Sequence, residues 1–171
     1  MIIETKRLLL IPLNIKQLEL YLNNRDMFIK NIGYYINDRK MSKHIVKAYK
    51  QKIEFMKLYD NLDLIITCWQ VVLKKYKIIT SEITINGTPS DNEIELSYKT
   101  DEEYQNKGYM TEALNAYMYW IFYQNKYKIK SVFAMVSKNN LPSKKVLKKI
   151  GFNVKFSKYE VDLFEFRNPK K

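Results

Sequence analysis

Gln105-Asn106-Lys107-Gly108-Tyr109-Met110-Thr111-Glu112-Ala113 decides the reading of this chain. Before it stands an alternating run, Glu93-Ile94-Glu95-Leu96-Ser97-Tyr98. After Gly108 an apolar series recurs at helical spacing: Met110, Ala113, Leu114, Tyr117, Met118, Ile121 and Phe122. Alternation predicts a strand, and the 3.6-residue stripe predicts a helix with one buried face. A strand, a short polar turn with a glycine and a helix start aim several free backbone N–H groups one way. The first amides of a helix have no intrahelical partner and sit at the positive end of its dipole, so the junction suits an anion. A phosphate-bearing ligand is the guest this arrangement expects.

Toward the N-terminus, Asn86-Gly87-Thr88-Pro89-Ser90-Asp91-Asn92 is the clearest loop signal. It is preceded by a strand over Ile78–Ile85, a turn over Lys74–Lys77 and a buried strand over Leu64–Leu73. Ser42 predicts the cap of a helix reaching about Tyr59, with Ile45, Val46, Tyr49, Ile53 and Met56 on one side. Residues 23–39 show no clean period, Ile15–Leu22 reads as a short helix, and Arg7–Pro12 as a first strand stopped by proline. Toward the C-terminus follow a strand over Ser131–Val136 and a helix over Asn139–Lys149, with Pro142 just inside its start and Gly151 just past its end. Two closing strands, Phe152–Lys158 and Val161–Phe166, precede a frayed tail over Asn168–Lys171. With no repeat and no linker, the 171 residues read as one domain, 1–171, large enough to bury a core.

The formal charge of +12 comes almost wholly from lysine. It suits either a nucleic-acid or ribosome-binding surface or a compositional drift rich in Lys, Ile, Asn and Tyr. The lack of an Arg-rich block favours drift, and part of the charge remains available to a polyanionic cofactor. A basic surface also disfavours polycationic acceptors unless a local acidic groove exists. No apolar stretch reaches the ~18 residues of a membrane span, and the N-terminus lacks the basic-then-apolar order of a secretion signal. The single Cys68 cannot form an internal disulfide, and with the single His44 it makes no zinc set. A cytoplasmic protein without metal and without membrane contact is expected, as a monomer or homodimer. His44 reads as exposed and Cys68 as core; Tyr34-Tyr35 and Trp69 are candidates to line the acceptor groove, with core packing the favoured reading for Trp69.

Glu95-Leu96-Ser97-Tyr98, Gln105-x-x-Gly108, Thr111-Glu112-Ala113 and Asn140-x-x-Ser143-x-x-Val146-Leu147-x-Lys149-x-Gly151-Phe152 together resemble the acetyl-CoA-binding core of the GNAT superfamily of N-acetyltransferases. The opening Glu4-Thr5-x-Arg7-Leu8-x-Leu10-x-Pro12-Leu13 is similar to the start of its ribosomal-protein N-acetyltransferase-like subgroup. The resemblance implies an α/β (α+β) fold with a mixed, mostly antiparallel central sheet of six to seven strands and about four flanking helices. It implies acetyl-CoA as cosubstrate and direct attack of a primary amine on the thioester, the amine being a protein N-terminus or a small molecule. The alternative is a catalytically degenerate protein that binds CoA, RNA or the ribosome. That alternative draws on Met110, which stands where the family has Gly or Ala, on Leu147, where many members have Tyr, and on the charge.

By the resemblance, the amides of Asn106, Lys107, Gly108, Tyr109, Met110 and Thr111, introduced by Gln105, hold the pyrophosphate. Lys107 and the Thr111 hydroxyl add contacts, and the amides of Leu96 and Tyr98 meet the pantetheine and the thioester oxygen. Asn106 stands where many relatives have glycine, and Asn tolerates a left-handed backbone. Glu95 is the candidate base or ammonium holder; the plainer reading is a strand carboxylate in a salt bridge. Ser143 is the candidate proton donor to the thiolate, or merely helps start its helix, with Tyr98 and Tyr159 open as donors. Asn140 contacts the pantetheine amide, caps the helix, or does both.

Overall fold

Alternating apolar stretches in the chain assemble into one sheet, seen in a computed structural model that describes residues 1–37, 41–124 and 127–168. The strands are β1 Ile3–Glu4, β2 Leu8–Pro12, β3 Tyr35–Ile36, β4 Cys68–Leu73, β5 Ile78–Ser90, β6 Glu93–Thr100, β7 Ser131–Ser137, β8 Asn153–Lys158 and β9 Val161–Arg167. The helices are α1 Ile15–Asn23, α2 Arg25–Ile32, α3 Lys43–Leu58, α4 Asp63–Ile66, α5 Tyr109–Tyr119 and α6 Leu141–Lys149. The sheet runs β1-β2-β4-β5-β6-β7-β9-β8, with β3 added beside β5. Only β3–β5 and β6–β7 pair in parallel; the other ladders are antiparallel.

The fold class is as expected, with more strands and helices than the six to seven and about four foreseen. The extra strands β1 and β3 span two residues each, too short to show alternation. The extra helix α2 lies in the stretch without a clean period; Asn24 caps its start through the amide of Met27, and Gly33 ends it at φ +77°. Leu64–Ile66, expected as the start of a strand, is helical instead. Asp63 opens that turn and Thr67 closes it, and Ile65 and Ile66 are fully buried. The expected loop after Ile85 is largely strand. β5 runs on to Ser90 through an irregularity after Asn86, and only Asp91-Asn92, at φ +52° and +64°, make the turn. The stripe after Gly108 leaves α-helix at Tyr119 and continues through a wider π-type turn over Trp120–Gln124. Residues 38–40 of the aperiodic stretch and 169–171 of the expected tail lie outside the described residues.

Each face of the sheet carries its own core. On one face α5 and α6 pack Leu114, Tyr117, Met118 and Leu147 against Ile83, Ile85, Ile94, Leu96 and Ala134. On the other, α1–α3 pack Leu18, Tyr21, Phe28, Ile53 and Met56 against Cys68, Val72 and Ile79. Side chains alternate between faces along a strand. Ile94 and Leu96 therefore look toward α5, while Glu93, Glu95 and Ser97 look toward the other side. Cys68 and Trp69 are fully buried and His44 is exposed, as read from the sequence.

Candidate functional site

The parallel ladder between β6 and β7 stops after Glu95↔Phe133. Beyond it, Leu96–Thr100 continue pairing with β5 alone, while β7 turns to β9. The two strands splay, and a cavity of about 830 Å³ opens beside the gap. Its lining comes from the end of β6, the loop before α5, the start of α5 and one side of α6, with Asn37 at its edge.

The loop has the shape the sequence asked for. Gln105 is held by an Nε2–H···O=C bond of 3.1 Å to Thr100. Asn106 sits at φ +59° and Gly108 at φ +75°, both left-handed. Gly108 is the N-cap of α5 and has no side chain to cap with, so no side chain accepts from the first helical amides. Met110 is almost wholly buried, packed into the core under α5, and also borders the cavity.

Across the cavity, α6 begins with Asn140, whose Oδ1 accepts from the Ser143 amide at 3.1 Å. The capping role of Asn140 is thus present, and its Nδ2 is left without a hydrogen-bond partner among the described residues. The Tyr98 hydroxyl donates to the Ser143 carbonyl at 3.0 Å, tying β6 to α6. Burial pushes the Tyr98 phenol up to about 12, against a smaller opposing effect of the Ser143 side chain. Tyr98 therefore stays protonated, and its proton is already engaged.

The cavity brings together Tyr98, Gln105, Asn106, Gly108, Tyr109, Met110, Thr111, Asn140 and Ser143. Three expected residues are not in its lining. Lys107 turns away, its Nζ donating to the Glu103 carbonyl at 2.6 Å. Leu96 buries its side chain in the core, leaving only its backbone at the splay. Glu95 stands on the opposite face, half-buried, accepting from Asn86 Nδ2 at 2.8 Å. Tyr159 is 85% exposed in the β8–β9 turn and is not part of the lining.

Two features escaped the sequence reading. Lys145 and Lys149 give the cavity a basic rim. Lys145 and Lys149 were legible as an i,i+4 pair on one side of α6. The second is a clamp from the turn between β1 and β2. Glu112 accepts from Thr5 Oγ1 at 2.6 Å, the Arg7 amide at 2.9 Å and Arg7 Nε at 2.6 Å. Arg7 Nη1 donates to the Lys107 carbonyl at 3.1 Å, and the guanidinium lies 4.6 Å from the Tyr109 ring centre. The loop is thereby pinned from outside the cavity.

Residues 7–153 match the family model described as an acetyltransferase (GNAT) domain. The chain belongs to the GNAT family. It is an acetyltransferase, and enzymes of this family take their acetyl group from acetyl-CoA. The sequence is 26% identical over 162 residues to the uncharacterized N-acetyltransferase YjdG of Bacillus subtilis, covering 93% of this chain and 95% of that one. Among solved structures, ribosomal-protein-S5-alanine acetyltransferase from Vibrio fischeri superposes with a TM-score of 0.71 at 18% identity, covering 99% of this chain and 97% of that one. RimL, a ribosomal L7/L12 alpha-N-protein acetyltransferase solved with coenzyme A, gives 0.69 at 14% identity, covering 98% of each chain. At these identities the likeness is one of fold. Among the described residues no His, Cys, Asp and Glu gather into a metal-binding group, and no helix is long and apolar enough to cross a membrane.

Proposed function

We propose that this acetyltransferase binds acetyl-CoA in the cavity between β6 and α6 and passes its acetyl group directly to a primary amine arriving from the Glu95 face. One observation carries the reading: the β6–β7 ladder ends at Glu95 where the cavity opens, and the cavity closes on the uncapped start of α5. The amides of Asn106–Thr111 supply donors to the pyrophosphate at a positive helix end. The lysine rim adds charge, with Lys145 and Lys149 serving in place of the diverted Lys107. The free Nδ2 of Asn140 and the backbone edge of Leu96 and Tyr98 face the pantetheine arm.

Acetyl-CoA supplies an acyl group already activated as a thioester. Glu95 holds the incoming ammonium and takes its proton, directly or through water. The freed nitrogen lone pair bonds the carbonyl carbon, an amide from the splayed edge of β6 stabilises the oxyanion, and the carbon–sulfur bond breaks. Ser143, on the cavity wall, is the donor to the departing thiolate. Tyr98 fits that role less well, because its proton is bound to the Ser143 carbonyl and burial opposes its loss. An α-amine, with an ordinary pKa near ~8, is easier to deprotonate at neutral pH than a lysine amine near ~10.4.

Thermal-shift titration tests the binding half. A ligand specific to the folded state at a hundredfold excess over its Kd adds ~2.7 kcal/mol of stability, so the melting temperature climbs with acetyl-CoA concentration. Mass-spectrometric screening of amines for an added acetyl group tests the transfer half. A flat melting temperature together with no acetylated amine would count against the proposal.

A further inference from the structure

Part of one sheet face is bare. On the side where Glu93, Glu95 and Ser97 look out, the core built under α1–α3 takes in no residue of β7, β8 or β9. Alternation puts Phe133 and Met135 of β7, Val161 and Leu163 of β9 and Phe156 of β8 on this side, and they belong to neither core. Met135 is 58% exposed, Phe156 49% and Val161 40%, while Phe133 and Leu163 are partly exposed. Met135, Leu163 and Phe156 stand side by side in register, so the apolar surface runs across three strands. Contiguous apolar surface left in water marks a docking place.

The patch adjoins the point of transfer. Phe133 is the register partner of Glu95, the last pair before β6 and β7 part, and Met135 is the next residue of β7 on this face. A molecule whose amine meets Glu95 therefore has Met135 and Leu163 beside it. Charge is unevenly laid out around them. Glu93 and Glu95 stand at the β6 end, whereas on β8 and β9 this face carries Lys155, Lys158 and Arg167 against Glu165 alone. Glu165 is already shared: Lys155 Nζ lies 3.3 Å and Arg167 Nε 3.1 Å from its Oε1, and its side chain is only 12% exposed. Lys158 has no carboxylate partner among the described residues; its Nζ lies 5.8 Å from the centre of the Tyr159 ring. From β6 to β8 the face reads negative, apolar, positive.

We propose that this bare face seats the acceptor, and that the acceptor it fits is an unblocked polypeptide N-terminus with a large apolar side chain in its first residues and an acidic residue from about the fourth position on. The inference rests on the acetyl-transfer reading above and names its substrate. Glu95 meets the α-ammonium, Met135, Leu163 and Phe156 take the apolar side chain, and Lys158 takes the acid. In the sheet order β8 lies three strands from β6, roughly 14 Å, a span that about four residues of extended chain cover. The edge of β8 is poorly suited to pair with a further strand, because its register shifts around Lys155 and two lysines guard it. The side chains of the face, rather than the edge amides, do the reading. The chain's +12 charge opposes docking of a second copy and favours an acidic guest.

Acetylation kinetics on a set of unblocked hexapeptides test this with the unmodified protein: leucine or alanine first, aspartate or lysine fifth. Leucine is expected to outperform alanine by about tenfold in kcat/KM, mainly through KM, and aspartate to outperform lysine by about two- to fivefold, the worth of one exposed ion pair. Met135→Ser and Phe156→Ser should each weaken the leucine preference and leave the aspartate preference. Lys158→Glu should do the reverse. All three positions are solvent-exposed, so melting temperatures and the shift produced by acetyl-CoA should match the unmodified protein. Equal use of the four peptides would overturn the proposal, as would preferences that survive the substitutions. So would self-association in the ultracentrifuge, or salt-sensitive RNA binding, that Met135→Ser or Phe156→Ser abolishes, since either would give the face to another occupant. Acetylation of small amines but of no peptide would overturn this inference and leave the transfer reading standing. Acetylation of nothing would overturn both.

Discussion

Replacing Glu112 by glutamine keeps the side-chain volume but removes the charge at the centre of the clamp. Three donors lose a carboxylate acceptor: the Thr5 hydroxyl, the Arg7 amide and the Arg7 guanidinium. A hydrogen bond to a charged group contributes about 1.5–3 kcal/mol and a neutral one about 0.5–1.5, so each loses roughly 1 kcal/mol. The Arg7 side chain is 41% exposed, and that contact counts near the surface rate. The expected destabilisation is about 2–3 kcal/mol, or roughly 4–12 °C in melting temperature for a domain of this size. The acid dependence adds a second signature. Burial alone would raise the Glu112 carboxyl, but the bonds from Thr5 and Arg7 and the Arg7 charge outweigh it and leave it below its ordinary range. A carboxyl held low in the folded state stabilises at neutral pH and loses that contribution as pH falls from the ordinary value near 4.5 through the lowered one. Urea unfolding of the two proteins at pH 7 and in mild acid should show a gap that narrows with acidification. No gap at pH 7, or a gap indifferent to pH, would refute the clamp as the source of stability.

Other outcomes follow from the same geometry. Gly108→Ala forces a Cβ into a left-handed position at φ +75°, where its nearest neighbour is Arg7 Nη2 at 3.5 Å. The cost is backbone strain of about 1–2 kcal/mol, and acetyl-CoA affinity measured by calorimetry should fall with it. Gly151→Ala combines φ +95° with a Cβ 2.9 Å from the Phe166 ring, so its melting temperature should drop further than that of Gly108→Ala. Tyr98→Phe removes the bond to the Ser143 carbonyl, which should lower stability by about 1 kcal/mol while kcat falls less than in Ser143→Ala. Burial lowers Lys52 from 10.5 to about 8. The unfolded chain then holds more protons between those values, so stability should rise with pH across that window, and Lys52→Met should lose the rise.

The loop before α5 was legible because it is local: a strand, an Asn and a Gly able to go left-handed, and an apolar stripe stand within twenty residues. The start of α6 was legible for the same reason, through Asn140, Pro142 and Gly151. The clamp was not, since Arg7 and Glu112 meet across 105 positions. Lys107 shows the opposite failure. Its residue type suited a phosphate, but the Glu103 carbonyl lies close enough to take its ammonium. β3 and α4 were missed because two strand residues or one helical turn give no period to read.

The most direct measurement is a crystal structure of the protein with coenzyme A. The account predicts the diphosphate seated over the main-chain amides of Asn106–Thr111, with the pantetheine running along the free edge of Leu96 and Tyr98 toward Glu95. A diphosphate bound elsewhere, or a gap beyond Glu95 filled by protein side chains, would contradict it.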